Sequence, residues 1–225
     1  MGAGSREAVH QDYILRMVQQ FSGFLVRVLR LRKEGKTEEA LALLSDAYGK
    51  LAGLPASLVH ALSEDDLIVL LRAQGRLDPE RSLGLAELLR EEGHTYDDAG
   101  RYEESFPRYL KALRLYLEIL GEDEDLAETR IPGLDDVIEQ LAGLDLPPET
   151  AERLLAYLED AGRFDQAENL LLQRLDAAPD DRAARDAVVR FYRRLLAKSD
   201  AELIVGGLTR DEVVDGLQRV DDPVS

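Results

Sequence analysis

Cysteine is absent from the 225 residues, and so is tryptophan; methionine occurs twice and histidine three times. Without thiols the chain forms no disulfide, thiolate metal site, iron–sulfur cluster or cysteine nucleophile. Positive charge is scarce. Lys and Arg number 28 against 45 Asp and Glu, for a formal charge of −17, and lysine stands only at positions 33, 36, 50, 111 and 198. That balance argues against nucleic acid and anionic membranes, which bind basic patches. Long apolar runs are also missing. The uncharged stretches at 17–26 and 51–63 fall short of the roughly 20 apolar residues a membrane span needs. No apolar core follows a basic start in the first ten residues, so no signal peptide is expected and the cytoplasm is the expected location.

What is present is helix. Hydrophobic residues make up 45% of the chain, enough for a real core. Leu, Ala, Glu and Arg dominate, and all are strong helix formers. Apolar positions at Ile14, Met17, Val18, Phe21, Phe24, Leu25, Val28 and Leu31 predict a first helix over 12–33. Leu15, Val26 and Leu29 widen its stripe beyond one face, so it needs cover on two sides. A second helix is expected over 37–51. Ser63 with Asp66, Ser199 with Glu202 and Thr209 with Glu212 read as N-terminal caps, and Asp78-Pro79 as a further start. Helices are expected to about Ala73, over 79–98 and 103–119, then over 135–142, 148–160, 165–176 and 181–197. Pro107, near the first turn of the helix over 103–119, should delay or bend it slightly. No alternating run is long enough for a sheet, so the expected class is all-α. The acidic segment at 121–125 and Ile131-Pro132-Gly133 mark the expected boundary. It separates a tail (1–11), an N-terminal helical region (12–121), an acidic connector (122–131) and a C-terminal helical region (132–220).

One phrase recurs: a helix, a glycine turn, and a small residue five positions on. Its copies centre on Gly35 with Ala40, Gly100 with Ser105, and Gly162 with Ala167. The second also carries Leu89, Gly93, Tyr96, Tyr102, Tyr109 and Ala112; the third has Leu154, Leu158, Phe164, Leu171 and Pro179. The phrase resembles the turn of the tetratricopeptide repeat (TPR), a helical hairpin of about 34 residues. The copies stand almost two repeat lengths apart, so this is no simple tandem array. The stretches DYILRMVQQ, LRKEGKTEEAL and GGLTRDEVVDGL resemble an uncharacterised bacterial family of TPR-like proteins. The resemblance implies antiparallel hairpins stacked as a solenoid, with a peptide held in the concave groove. Residue by residue it places Glu87, Arg90, His94 and Asp97 of the second copy in that groove, with Glu152 and Glu159 of the third. The Lys and Asn residues of the TPR carboxylate clamp are missing there, and the third copy offers an acidic groove suited to a basic peptide.

Chemistry is harder to find. Neither a His-x-x-x-His pair, an Asp-x-Asp-x-Asp-Gly loop, a Gly-x-x-x-x-Gly-Lys loop nor a Gly-x-Ser-x-Gly elbow occurs. No metal, cofactor or catalytic residue is therefore expected. His94 reads as a solvated polar residue, His60 as a packing residue and His10 as part of the tail. The expected function is a non-enzymatic interaction module that binds a protein or peptide. The alternative is an all-α enzyme or small-molecule sensor with a polar cavity between repeats. The broad apolar first helix needs cover, since large apolar faces rarely stay exposed on a monomer, and the expected cover is a second copy in a homodimer or else the segment at 55–73 folded back in the same chain.

Overall fold

A computed structural model describes residues 23–73, 75–122 and 131–221. The expected tail, His10, the first half of the expected first helix and most of the acidic connector lie outside the described residues. The chain divides into two compact units, one ending at Leu141 and the other beginning at Ala142.

The first unit opens with α1, helical over residues 23–33. α2 (Thr37–Ala47) runs into a π-helical turn, Tyr48–Ala52, which Gly53 ends in the left-handed region. Two short helices follow, α3 (Ala56–Ala61) and α4 (Glu64–Leu71). Ser63 caps α4 by accepting the Asp66 N–H at 3.1 Å. The expected helix to Ala73 stops at Leu71. The chain instead makes a two-residue antiparallel ladder, β1 (Arg72–Ala73) with β2 (Arg76–Leu77), pairing Arg72 with Leu77. Gly75 supplies the left-handed turn (φ 83°), and the Glu122 carboxylate takes the Leu77 N–H at 2.9 Å. This ladder is the sole departure from an all-α fold among the described residues.

α5 (Pro79–Asp98) and α6 (Tyr102–Glu122) form the central hairpin. Asp78 caps α5, with Pro79 where its missing N–H costs nothing. α6 begins at Tyr102 in spite of Pro107, which does not delay it; the proline only removes one donor to the preceding turn. Every residue from Tyr109 to Leu120 is buried, including Lys111, Arg114 and Glu118. A helix covered on all sides is the centre of its unit. α7 (Pro132–Gln140) starts three residues earlier than the expected 135, because Pro132 fits the first helical turn. It packs on α5 and α6 and belongs to the first unit.

The second unit holds α8 (Pro148–Asp160), α9 (Phe164–Ala177), α10 (Arg182–Leu196), α11 (Asp200–Val205) and α12 (Arg210–Asp221). α9 packs on α8 and α10, and α10 on α12. The Ser199–Glu202 capping box is complete, and Thr209 and Glu212 reproduce its bonds.

The three glycine turns share one geometry. Gly35, Gly100 and Gly162 have φ of 68°, 70° and 69°. In each, the glycine N–H reaches back three residues and the next N–H five, the double bond of a Schellman motif. Ala40, Ser105 and Ala167 are all buried, where a larger side chain would push the paired helices apart.

Candidate functional site

Three and four residues apart, Glu87, Arg90, Glu91, His94, Asp97 and Asp98 follow one side of α5. Tyr109 and Tyr116, seven apart on α6, meet them, α7 contributes Asp136 and α1 contributes Arg32. The four groove candidates of the second copy therefore come together, but they face neighbouring helices. Arg90 binds Glu87 at 2.9 Å, Glu91 at 2.7 Å and Asp136 at 2.8 Å. His94 Nε2 meets the same Asp136 oxygen at 2.6 Å, and its Nδ1 lies 2.9 Å from the Tyr109 hydroxyl. That hydroxyl donates to Asp97 at 2.8 Å, and the Tyr116 hydroxyl donates to Glu87 at 2.7 Å. Arg32 ties α1 in through Glu91 and Asp98. His94 is 15% exposed at its side chain, so the expected solvated histidine is instead a half-buried joint between three helices.

The packing is as close as the charges. A Cβ on Gly93 would lie 2.6 Å from the Tyr109 ring. One on Gly133 would collide with the Tyr116 hydroxyl and the Glu87 carboxylate. Ala112 beside them is fully buried. Tyr96 packs at the rim of the hairpin, with the Arg101 guanidinium 4.6 Å above its ring.

The electrostatics follow. Burial alone would push Asp136 up, but hydrogen bonds from His94 and Arg90 overcome it and hold the carboxyl at about 2. Burial, then the bond to Asp97, pushes the Tyr109 phenol well above its ordinary range. Burial and Glu87 do the same to Tyr116. Burial works against the Arg90 charge, and Glu87 and Glu91 more than restore it.

A second cluster lies on another side of α5. Glu92 accepts from Tyr48 at 2.5 Å and from His60 at 2.8 Å. Burial opposes its charge, yet His60 and Arg108 hold its carboxyl below the usual range. Lys111 donates to the Val59 and His60 carbonyls at 3.0 and 2.9 Å, closing the end of α3; burial pushes its amine down. Arg114 bridges Glu118 and Asp65 at 2.7 and 3.1 Å. Sequence reasoning missed Tyr48, Glu91, Glu92, Lys111, Arg114, Tyr116, Glu118 and Asp136. The sequence held little signal for them: Lys111, Arg114 and Glu118 fall three and four positions apart on one face of the 109–120 segment, the pattern of an ordinary solvated stripe, and only the packing of neighbouring elements buries them.

The third copy differs. Glu152 is exposed and 3.9 Å from Arg174. Glu159 holds Arg194 in a fork at 2.9 and 2.6 Å. Neighbouring arginines thus offset the expected acidic groove. Pro179 gives its carbonyl to Arg185 at 2.9 Å. Chemically, the first unit's cluster is a set of satisfied pairs, its carboxylates engaged by tyrosine, histidine or arginine. Among the described residues no group of three or more His, Asp and Glu side chains could hold a metal ion, and no helix is long and apolar enough to cross a membrane.

Fold and cluster together define an all-α helical protein with an ionic core. The chain belongs to a family of unknown function, DUF6483, whose match spans residues 8–224. No curated protein and no solved structure matches the chain.

Proposed function

We propose that the chain is a non-enzymatic protein–protein interaction module, a TPR-like scaffold of helical hairpins in the cytoplasm. The observation that carries this reading is the threefold glycine turn, with one backbone conformation at Gly35, Gly100 and Gly162 and a buried small residue after each. Such hairpins leave whole helix faces free to meet a partner, and binding energy then comes from a few anchors with charge setting the choice. The pairing of Glu87, Arg90, His94 and Asp97 among themselves favours a structural role for them, and a partner site elsewhere on the surface. Val26 and Leu29 of α1 are 64% and 40% exposed, which supports pairing of two copies through the first helix. Affinity capture from native lysate with mass-spectrometric identification tests the reading. The same polypeptide should be recovered by the wild type and by His94→Gln; recovery of no polypeptide would reject it.

A second reading, an all-α enzyme or small-molecule sensor, draws on the convergence of perturbed groups at Tyr109, Asp136 and Arg90. It requires His94→Gln to abolish a bound small molecule or an activity while leaving the melting temperature within a few degrees.

A further inference from the structure

We propose that the solvent face of α10 is a docking surface for an acidic segment of a partner protein. The inference rests on the interaction-module reading and names the surface and the partner's chemistry. In a chain of formal charge −17, residues 182–198 carry six basic side chains and one acid, Asp186. α10 buries Val188, Phe191 and Leu195 on one side. Arg182, Arg190, Arg193 and Arg194 stand exposed on the other.

Part of this charge is used within the unit, and Lys198 lies 3.8 Å from Glu202 and over the Phe164 ring. Arg194 is forked on Glu159, Arg193 reaches Asp221 only at 3.5 Å, and Arg185 rests on the Pro179 carbonyl. Arg182 and Arg190 make no ion pair among the described residues. The dipole favours Arg193 and Arg194 in the last turn, but the rest of the arrangement works against the helix. Arg190 lies three and four positions before Arg193 and Arg194, a spacing at which like charges destabilise. Arg182 and Arg185 sit near the N-terminus, where the helix dipole disfavours cations. Folding uses Arg194, which ties α10 to α8 through Glu159, but has no such use for the exposed Arg182 and Arg190.

The partner's chemistry follows from charge and geometry. A long polyanion would meet the field of the whole protein, which is negative. A short acidic segment within about a Debye length, roughly 8 Å at physiological salt, meets chiefly the local positive face. Arginine forks match carboxylates two bonds at a time, and Arg194 already grips Glu159 that way.

The test uses the full chain, a fluorescein-labelled glutamate-rich peptide as probe, and fluorescence anisotropy at low ionic strength. Saturable binding that weakens with added salt is expected. R190E with R193E should weaken it at least about tenfold, and R190Q with R193Q should weaken it in the same direction while sparing the helix a charge reversal. R30E with R76E makes the same change in net charge at exposed sites outside α10 and should leave binding within about twofold. Absence of saturable binding, an equal loss in both charge-reversed pairs, or tighter binding of duplex DNA or anionic vesicles than of the peptide would overturn the proposal. Equal binding by wild type and the α10 variants rejects this surface and leaves the module reading standing. That reading falls separately, if lysate capture returns no polypeptide.

Discussion

Tyrosine against glycine is the recurring unit at the scale of single residues. Tyr109 lies on Gly93, Tyr116 on Gly133 and Tyr192 on Gly216. Each hydroxyl then ends on a carboxylate: Asp97, Glu87 and Glu168 respectively. The missing Cβ lets two helices approach, the ring fills the gap, and the phenol satisfies a half-buried anion. Gly93→Ala should therefore destabilise the protein by about 1–3 kcal/mol through overpacking, read from the midpoint of denaturant unfolding. Tyr109→Phe keeps the ring and removes the donor to the half-buried Asp97, at a cost of about 0.5–1.5 kcal/mol for the lost hydrogen bond. An unchanged midpoint in both would mean that the hairpin is loosely packed. Asp136 shares the acid limb with Glu92, and its folded value of about 2 lies below its ordinary 3.8. A depressed carboxyl contributes stability that is fully present above its unfolded value and is lost as pH falls through the folded one. Unfolding free energy should thus drop between about pH 4 and pH 2, and Asp136→Asn should flatten that limb.

Whole elements show how much the sequence discloses and where it stops. Helix caps and glycine turns were legible because their chemistry is local: Ser63, Asp78, Ser199 and Thr209 cap helices as their spacing implies. The turn glycines declared themselves through the small residue that follows. The partners of each helix face were not legible, because they depend on elements far away in sequence. His94 looks solvated until α7 delivers Asp136 from 42 positions away. The short ladder at Arg72–Ala73 was hidden inside a helical frame, since two residues carry no alternation. Pro107 is expected to delay or bend its helix, whereas α6 starts at Tyr102 and its hairpin packing on α5 outweighs one lost hydrogen bond. At this scale, Ala167→Leu should separate α8 from α9 and cost about 1–3 kcal/mol. A melting temperature equal to that of the wild type would count against close pairing at that hairpin.

Taken whole, the molecule joins a strongly acidic composition to an ionic core in one unit and an arginine-lined helix in the other. Pairing through α1 predicts a mass near twice 25.1 kDa by light scattering, shifted toward the monomer by Leu29→Glu, since a charge buried without a partner is costly. A mass near 25 kDa at micromolar concentration would remove the dimer. The central claim is that this is a scaffold for polypeptides and that its buried charges brace helices. Native mass spectrometry of the protein captured gently from its own lysate addresses that claim most directly. The account predicts a particle containing a second polypeptide, retained when His94 is replaced by Gln. A particle of one chain carrying a stoichiometric small molecule, lost with that replacement, would contradict it.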